Sequence, residues 1–321
     1  MSGLEVRGLS VRYPIGGLLT GRRVLQAVTD VSFDLIPGQT LGLVGESGCG
    51  KSSVARALVR LAPVSEGSVI WQGRDLAGLN EAQFRKVRPD IQMVFQDPFA
   101  ALNPRMNMSQ LIAEPLVTQN VPRAQIDKRV AAIVDKIGLR PEMMTRYPHE
   151  FSGGQAQRIG IARAVICNPR VLICDEAVSA LDVSVQALIL DLLTALQEDL
   201  SLAMLFIGHD LSVVRLICDR VMVLYLGRVM EEGPVDTLFD HACHPYTQLL
   251  IGSALSTDPE VERGRVRPAI RGDLPSPMDP PSGCVFRTRC PLATGICAAE
   301  VPVLREIGGT RAACHHAEEA L

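Results

Sequence analysis

Over residues 1–40 short apolar runs alternate with turns, as in LEVRGLSVRY at 4–13 and TDVSFDLIPGQ at 29–39. This is a β-rich lead-in to TLGLVG at 40–45, a continuous apolar run of the kind a strand buried on both faces requires. From Lys51 the apolar positions of SSVARALVRL change to a helical period, giving strand, glycine loop and helix in that order. Residues 97–150 behave differently. MSQLIAEPLV and KRVAAIVDKIGL are helical, prolines stand at 98, 104, 115, 122, 141 and 148, and strand signal is scarce. This stretch is expected to be a helical insert. The βα rhythm then returns: a helix from Ser152, strand VLICD, helix SVQALILDLLTALQED, strand LAMLFIG, helix LSVVRLIC and strand RVMVLYLG. Alternating βα units predict an α/β fold, a mainly parallel sheet with helices on both faces. Near residue 256 the chain turns rich in proline and charge, with PSPMDPPSG leading into a cluster of cysteines. The expected organisation is one domain over 1–255 and a small C-terminal extension over 256–321.

A chain of 321 residues, 47% of them apolar, can bury a large core. The net charge of −3 gives no footprint for a nucleic-acid partner. The N-terminus is charged where a signal peptide needs an apolar centre, and no run reaches the length of a membrane span. A cytoplasmic location is expected. Of nine cysteines, Cys284, Cys290, Cys297 and Cys314 crowd the last forty residues, in the spacing C-x5-C-x6-C-x16-C. An odd total in an unexported chain argues for reduced thiols, a metal, or both. Four thiolates suit a [4Fe–4S] cluster or tetrahedral zinc, although the spacing is that of neither a ferredoxin nor a zinc ribbon, and unligated thiols remain the alternative.

The run Gly45, Glu46, Ser47, Gly48, Cys49, Gly50, Lys51, Ser52 fits the phosphate-loop pattern G-x-x-x-x-G-K-[ST], and Ser53 follows it into the helix. Its backbone N–H groups curl around phosphates, Lys51 brings positive charge to the β and γ oxygens, and the Ser52 hydroxyl ligates Mg²⁺. The strand VLICD ends in two carboxylates. Asp175 is expected to hold Mg²⁺ and Glu176 to polarise the water that attacks the γ-phosphate. Alone, such a pair is an ordinary strand end or cap; downstream of a phosphate loop the chemical reading prevails. Gln96 and His209 also follow apolar strands, where an open parallel sheet delivers residues to a ligand crevice. Gln96 can reach the metal or the attacking water, and His209 the γ-phosphate. Ser152, Gly153, Gly154 and Gln155 begin another helix whose free N–H groups also suit a γ-phosphate. One phosphate loop already encloses the phosphates from its own side. The economical reading is that this second glycine pair serves the nucleotide of another subunit, two chains closing head to tail around ATP.

The ordered set GESGCGKS, VFQDP, FSGGQAQR, VLICDE, SALD and GHD resembles the ATP-binding subunit of an ABC transporter. The resemblance implies a P-loop ATPase fold, with Gln96 as the Q-loop residue, Ser152–Gln155 as the signature, Ser179–Asp182 as the D-loop, Asp182 included among the nucleotide contacts, and His209 as the switch histidine. Tyr13 becomes the aromatic that stacks on adenine, or else an exposed strand tyrosine. More narrowly, QMVFQDPFAALNPRM, RYPHEFSGGQAQRIGIARA, SALDVSVQ, HDLSVVR and HPYTQLL resemble the ATPases of oligopeptide/dipeptide importers. That implies ATP and Mg²⁺ as cofactors, a C-terminal four-cysteine iron–sulfur site, and a place on the cytoplasmic face of the cell membrane. It also implies as partners a second, similar ATPase in a heterodimer, two permeases and an extracytoplasmic binding protein. Two positions depart from the family. Ala177 replaces the usual proline, and Ala156 replaces an arginine, which is expected to weaken a surface contact near the signature.

Overall fold

The computed structural model describes residues 3–16, 23–253 and 273–319. Its strands are β1 (Leu4–Ile15), β2 (Arg23–Leu35), β3 (Thr40–Val44), β4 (Glu66–Trp71), β5 (Arg74–Asp75), β6 (Ile91–Val94), β7 (Val171–Asp175), β8 (Ala203–Ile207), β9 (Arg220–Tyr225), β10 (Arg228–Pro234), β11 (Arg305–Ile307) and β12 (Thr310–Ala312). The described residues fall into two compact units, one drawn from 3–4, 34–40 and 71–207, the other from 5–33, 41–70 and 208–319. The expected boundary near residue 256 lies outside the described residues.

In the first unit β6, β7 and β8 are parallel neighbours, with Ile91 opposite Val171, Val94 opposite Cys174, and Asp175 opposite Ile207. Every residue of β7 and β8 is buried, so apolar side chains are needed on both faces, and the sequence supplies VLICD and AMLFI. The segment before β7 has a helical core of its own. Helices Met108–Thr118, Arg123–Lys136 and Gly153–Val165 pack Leu111, Ile112, Leu116, Val130, Val134 and Ile159 together. Two of these helices start at capping boxes, Asn107 with Gln110 and Ser152 with Gln155, which satisfy N–H groups that the first turn leaves open.

In the second unit β3 runs parallel to β9, and β9 continues antiparallel into β10. The sheet is therefore mixed. Its antiparallel part includes the C-terminal extension, because β11 and β12 form a hairpin whose β12 pairs with β10, Glu231 opposite Ala312 and Glu232 opposite Arg311. A buried carboxylate fastens this join. Glu231 is wholly buried, its Oε1 accepting from the Cys243 N–H at 2.8 Å and the Thr310 hydroxyl at 2.8 Å, its Oε2 from the His244 N–H at 3.0 Å. A buried carboxylate persists only when so paired. No helix among the described residues is long and apolar enough to cross a membrane.

Candidate active site

The loop Gly45–Gly50 leaves β3 and enters the helix Lys51–Leu58. Gly45, Gly48 and Gly50 have φ of 149°, 78° and 109°, a backbone path that side chains with a Cβ rarely follow. Lys51 is buried, and its ammonium donates to the carbonyls of Gly45 at 2.8 Å and Glu46 at 3.0 Å, so the charge is held inside the curl of the loop. Cys49 is buried beneath it, and burial raises its thiol pKa, which disfavours the thiolate. Ser52 and Ser53 open the helix half-buried, and the half-buried Tyr13 donates its hydroxyl to Ser53 Oγ at 3.3 Å. The structure thus brings Tyr13 to the end of the loop.

Glu46 is fastened at every polar group. Its N–H donates to the Tyr246 hydroxyl at 2.9 Å, its carbonyl accepts from Lys51, and its carboxylate accepts from Arg289 at 2.8 and 3.0 Å. Tyr246 lies in HPYTQLL, where the sequence alone assigns it no role, and Arg289 belongs to no motif legible in the sequence. In the same unit the Gly208 N–H donates to the Leu43 carbonyl, which sets the exposed His209 beside the end of β3 where the loop departs. Asp210 then caps the next helix, accepting from the Ser212 and Val213 N–H groups.

In the other unit the parallel register brings the ends of β6 and β7 side by side, and Gln96 Nε2 donates to Glu176 Oε2 at 2.8 Å. Glu176 has φ of 48°, a left-handed conformation costing about 1–3 kcal/mol for a residue other than glycine. A tight turn holds it there: the Glu176 N–H donates to the Ile207 carbonyl, and the Glu176 carbonyl accepts from the Ser179 hydroxyl at 3.0 Å. Asp175, one residue earlier, is buried at the strand end and offers the hard oxygen ligands that Mg²⁺ prefers. The exposed Ser152 caps its helix by accepting from the Gln155 N–H. Gly154 packs so tightly that a Cβ would stand 2.3 Å from Val185 Cγ1. Asp182 is the exposed N-cap residue of the helix Val183–Leu200.

Residues 28–179 match the ABC transporter family, and residues 230–297 match the oligopeptide/dipeptide transporter C-terminal region. The chain is 52% identical over 284 residues to the oligopeptide transport ATP-binding protein OppF of Salmonella typhimurium, covering 88% of this chain and 85% of that one. The chain belongs to the ABC transporter family, on its oligopeptide/dipeptide branch. The di/tripeptide transport ATP-binding protein DppF of Pseudomonas aeruginosa is 45% identical over 320 residues, 99% of this chain and 98% of that one. Among solved structures, a dimeric post-hydrolysis ATP-binding cassette bound to ADP and Pi superposes with a TM-score of 0.65 at 26% identity, over 72% of this chain and 98% of that one.

Against that family pattern Ala156 needs a correction. It is wholly buried within the helical core, so it packs between helices and offers no surface contact to lose. Ala177 is also buried, in the turn after Glu176. The four C-terminal thiols of this ABC ATPase are free, with Cys284, Cys297 and Cys314 buried and Cys290 half-buried. Burial raises the thiol pKa of Cys284, Cys290 and Cys314, pushing Cys290 up to about 11, and neighbouring sulfurs raise them further. Backbone N–H groups meet three of the sulfurs: Phe286 at Cys284, Leu292 at Cys290, and His316 at Cys314. Yet among the described residues no group of three His, Cys, Asp or Glu side chains is arranged to hold a metal ion. The four thiols are the donor set that a thiophilic metal takes.

Proposed function

We propose that this chain is the ATP-hydrolysing subunit of a peptide importer, bound peripherally at the cytoplasmic face of the membrane. The observation that carries the reading is Glu176, set in a left-handed turn by backbone bonds and met at its carboxylate by Gln96, in a chain that also has a complete phosphate loop. The printed names of the relatives, oligopeptide and di/tripeptide transport ATP-binding proteins, support the cargo class.

In this reading the loop N–H groups and Lys51 take the phosphates, and Tyr13 takes the adenine. Ser52 and Asp175 are the Mg²⁺ ligands, with Gln96 able to join them, and the ion neutralises charge on the phosphates when bound. Glu176 orients and deprotonates the attacking water, while His209 hydrogen-bonds the γ-phosphate. Ser152, Gly153, Gly154 and Gln155, with Asp182, close on the nucleotide of a second, different ATPase, and the helices between 97 and 150 pass closure to two permeases. An extracytoplasmic protein delivers the peptide.

Tagging the chain and isolating it with its membranes in mild detergent tests this assembly. Two permeases and a second ATPase are expected in the eluate. Ribosomes, DNA or no partner at all would overturn the importer reading in favour of an ATPase that acts away from the membrane.

The cysteine module carries a finer proposal, a [4Fe–4S] cluster with zinc as the alternative, supported by the four thiols and the N–H groups aimed at three of them. Iron, sulfide and zinc analysis of anaerobically purified protein decides it. About four iron and four sulfide per chain are expected for the cluster and about one zinc for the alternative. Absence of both metals refutes the proposal.

A further inference from the structure

The turn that carries Cys284 and Cys290 also carries Phe286 and Arg289, and both side chains point at the phosphate loop's surroundings in the same unit. The Arg289 guanidinium is only 7% exposed and forks onto the Glu46 carboxylate, Nη1 to Oε2 at 2.8 Å and Nη2 to Oε1 at 3.0 Å. Nη1 also donates to the Tyr225 hydroxyl at 3.4 Å, and the guanidinium carbon lies 5.8 Å from the Tyr225 ring centre. Phe286, wholly buried, packs against Tyr225 at 5.3 Å and Tyr246 at 5.2 Å between ring centres. Tyr246 is the residue that takes the Glu46 N–H. The aromatic cluster and the arginine therefore converge on one loop residue from two directions.

Such a contact does more than join two segments. A bidentate guanidinium–carboxylate pair fixes direction as well as distance, and a partly buried one is screened little by solvent. The Glu46 carbonyl is a ligand of the Lys51 ammonium, and it also accepts from the Cys49 N–H. Glu46 thus sits between Arg289 and the lysine that must meet the phosphates. If Arg289 lets go, a half-buried carboxylate loses its cation and the first residues of the loop lose an anchor outside the loop itself.

We propose that Arg289 is a positioning residue for the phosphate loop, so that the C-terminal cysteine module sets this chain's affinity for nucleotide. The inference rests on the ATP-binding reading above, and its test separates the two. Binding of a fluorescent ATP analogue with Mg²⁺ is measured on the full chain and on Arg289→Gln, Arg289→Lys, Glu46→Gln and the Arg289→Gln/Glu46→Gln double variant. Thermal unfolding is followed alongside, together with hydrogen exchange of residues 45–53 in nucleotide-free protein.

Arg289→Gln is expected to weaken binding about tenfold and to speed loop exchange. Arg289→Lys, which keeps the charge but not the fork, is expected to recover part of the affinity. Glu46→Gln should add little once Arg289 is gone, because both changes remove the same contact. Equal affinity and equal exchange in Arg289→Gln would overturn the proposal, as would fully additive effects in the double variant. Failure of the unsubstituted chain to bind the analogue sinks the ATP reading instead, and the exchange measurement still decides whether Arg289 positions the loop.

Discussion

Glu176→Gln is expected to leave ATP binding intact and to lower turnover by about 10²–10³-fold, the scale of a lost general base or water-positioning group. The geometry makes this substitution clean. Gln96 donates to Glu176 Oε2 at 2.8 Å, and a glutamine at 176 can still present an amide oxygen to the same donor, so the side chain keeps its place while losing its charge and basicity. The turn is insensitive to the change, since its bonds to Ile207 and Ser179 use the backbone of residue 176. Nucleotide binding and single-turnover hydrolysis should be measured in the assembled complex, with the partner ATPase separately inactivated so that its site cannot mask the loss. Turnover within about threefold of the unsubstituted chain would remove Glu176 from the chemistry. Glu176→Gly makes a useful companion. It relieves the left-handed strain at φ 48° and should stabilise the fold by about 0.5–1 kcal/mol while also abolishing turnover, the pattern expected where strain serves function.

The residues just discussed were legible because each lies in a short motif whose context is also local. Gly45–Ser52 needs only the strand before it and the helix after it, and Asp175–Glu176 needs only an apolar run that ends in charge. The parallel register then places Gln96 beside Glu176, which is why two residues far apart in sequence could be assigned to one crevice. What stayed hidden has a common physical cause, partners remote in sequence and ordinary in type. Arg289 and Glu46 are 243 positions apart, and nothing in RTRC distinguishes a buried arginine from a solvated one. Glu231, read from EEGPV, looks like a polar strand edge, yet it is the wholly buried anchor of the C-terminal hairpin. The change of composition near residue 256 marked a new segment but carried no sign that β12 would pair with β10, since TRA has too few residues to show a strand period. Ala156 illustrates the same limit: family comparison alone placed an arginine there at the surface, whereas packing in this chain puts alanine in the core.

The glycines of the phosphate loop give the sharpest test of how far its shape, beyond its charge, sets nucleotide binding. Three of them share positive φ, so sequence alone treats Gly45, Gly48 and Gly50 as equivalent. Their surroundings are not. A Cβ on Gly50 would stand 2.2 Å from the Ala27 carbonyl oxygen, and one on Gly45 would stand 2.1 Å from the Leu224 carbonyl oxygen, both backbone atoms that cannot swing aside. A Cβ on Gly48 meets nothing within 4 Å. Gly50→Ala is therefore expected to combine the left-handed cost with an overpacking cost, about 2–5 kcal/mol together, and to weaken nucleotide binding more than about a hundredfold as the loop opens. Gly48→Ala should carry only the left-handed cost, about 1–2 kcal/mol, with binding reduced by less than about tenfold. Thermal unfolding and analogue binding on the two variants separate these outcomes. If Gly50→Ala binds as well as Gly48→Ala, the close approach of Ala27 does not constrain the loop, and the backbone has more room at the phosphates than this packing allows. If the two differ as expected, β2, which carries Ala27, helps hold the phosphate loop closed through a carbonyl oxygen, a constraint that no reading of the motif by itself contains.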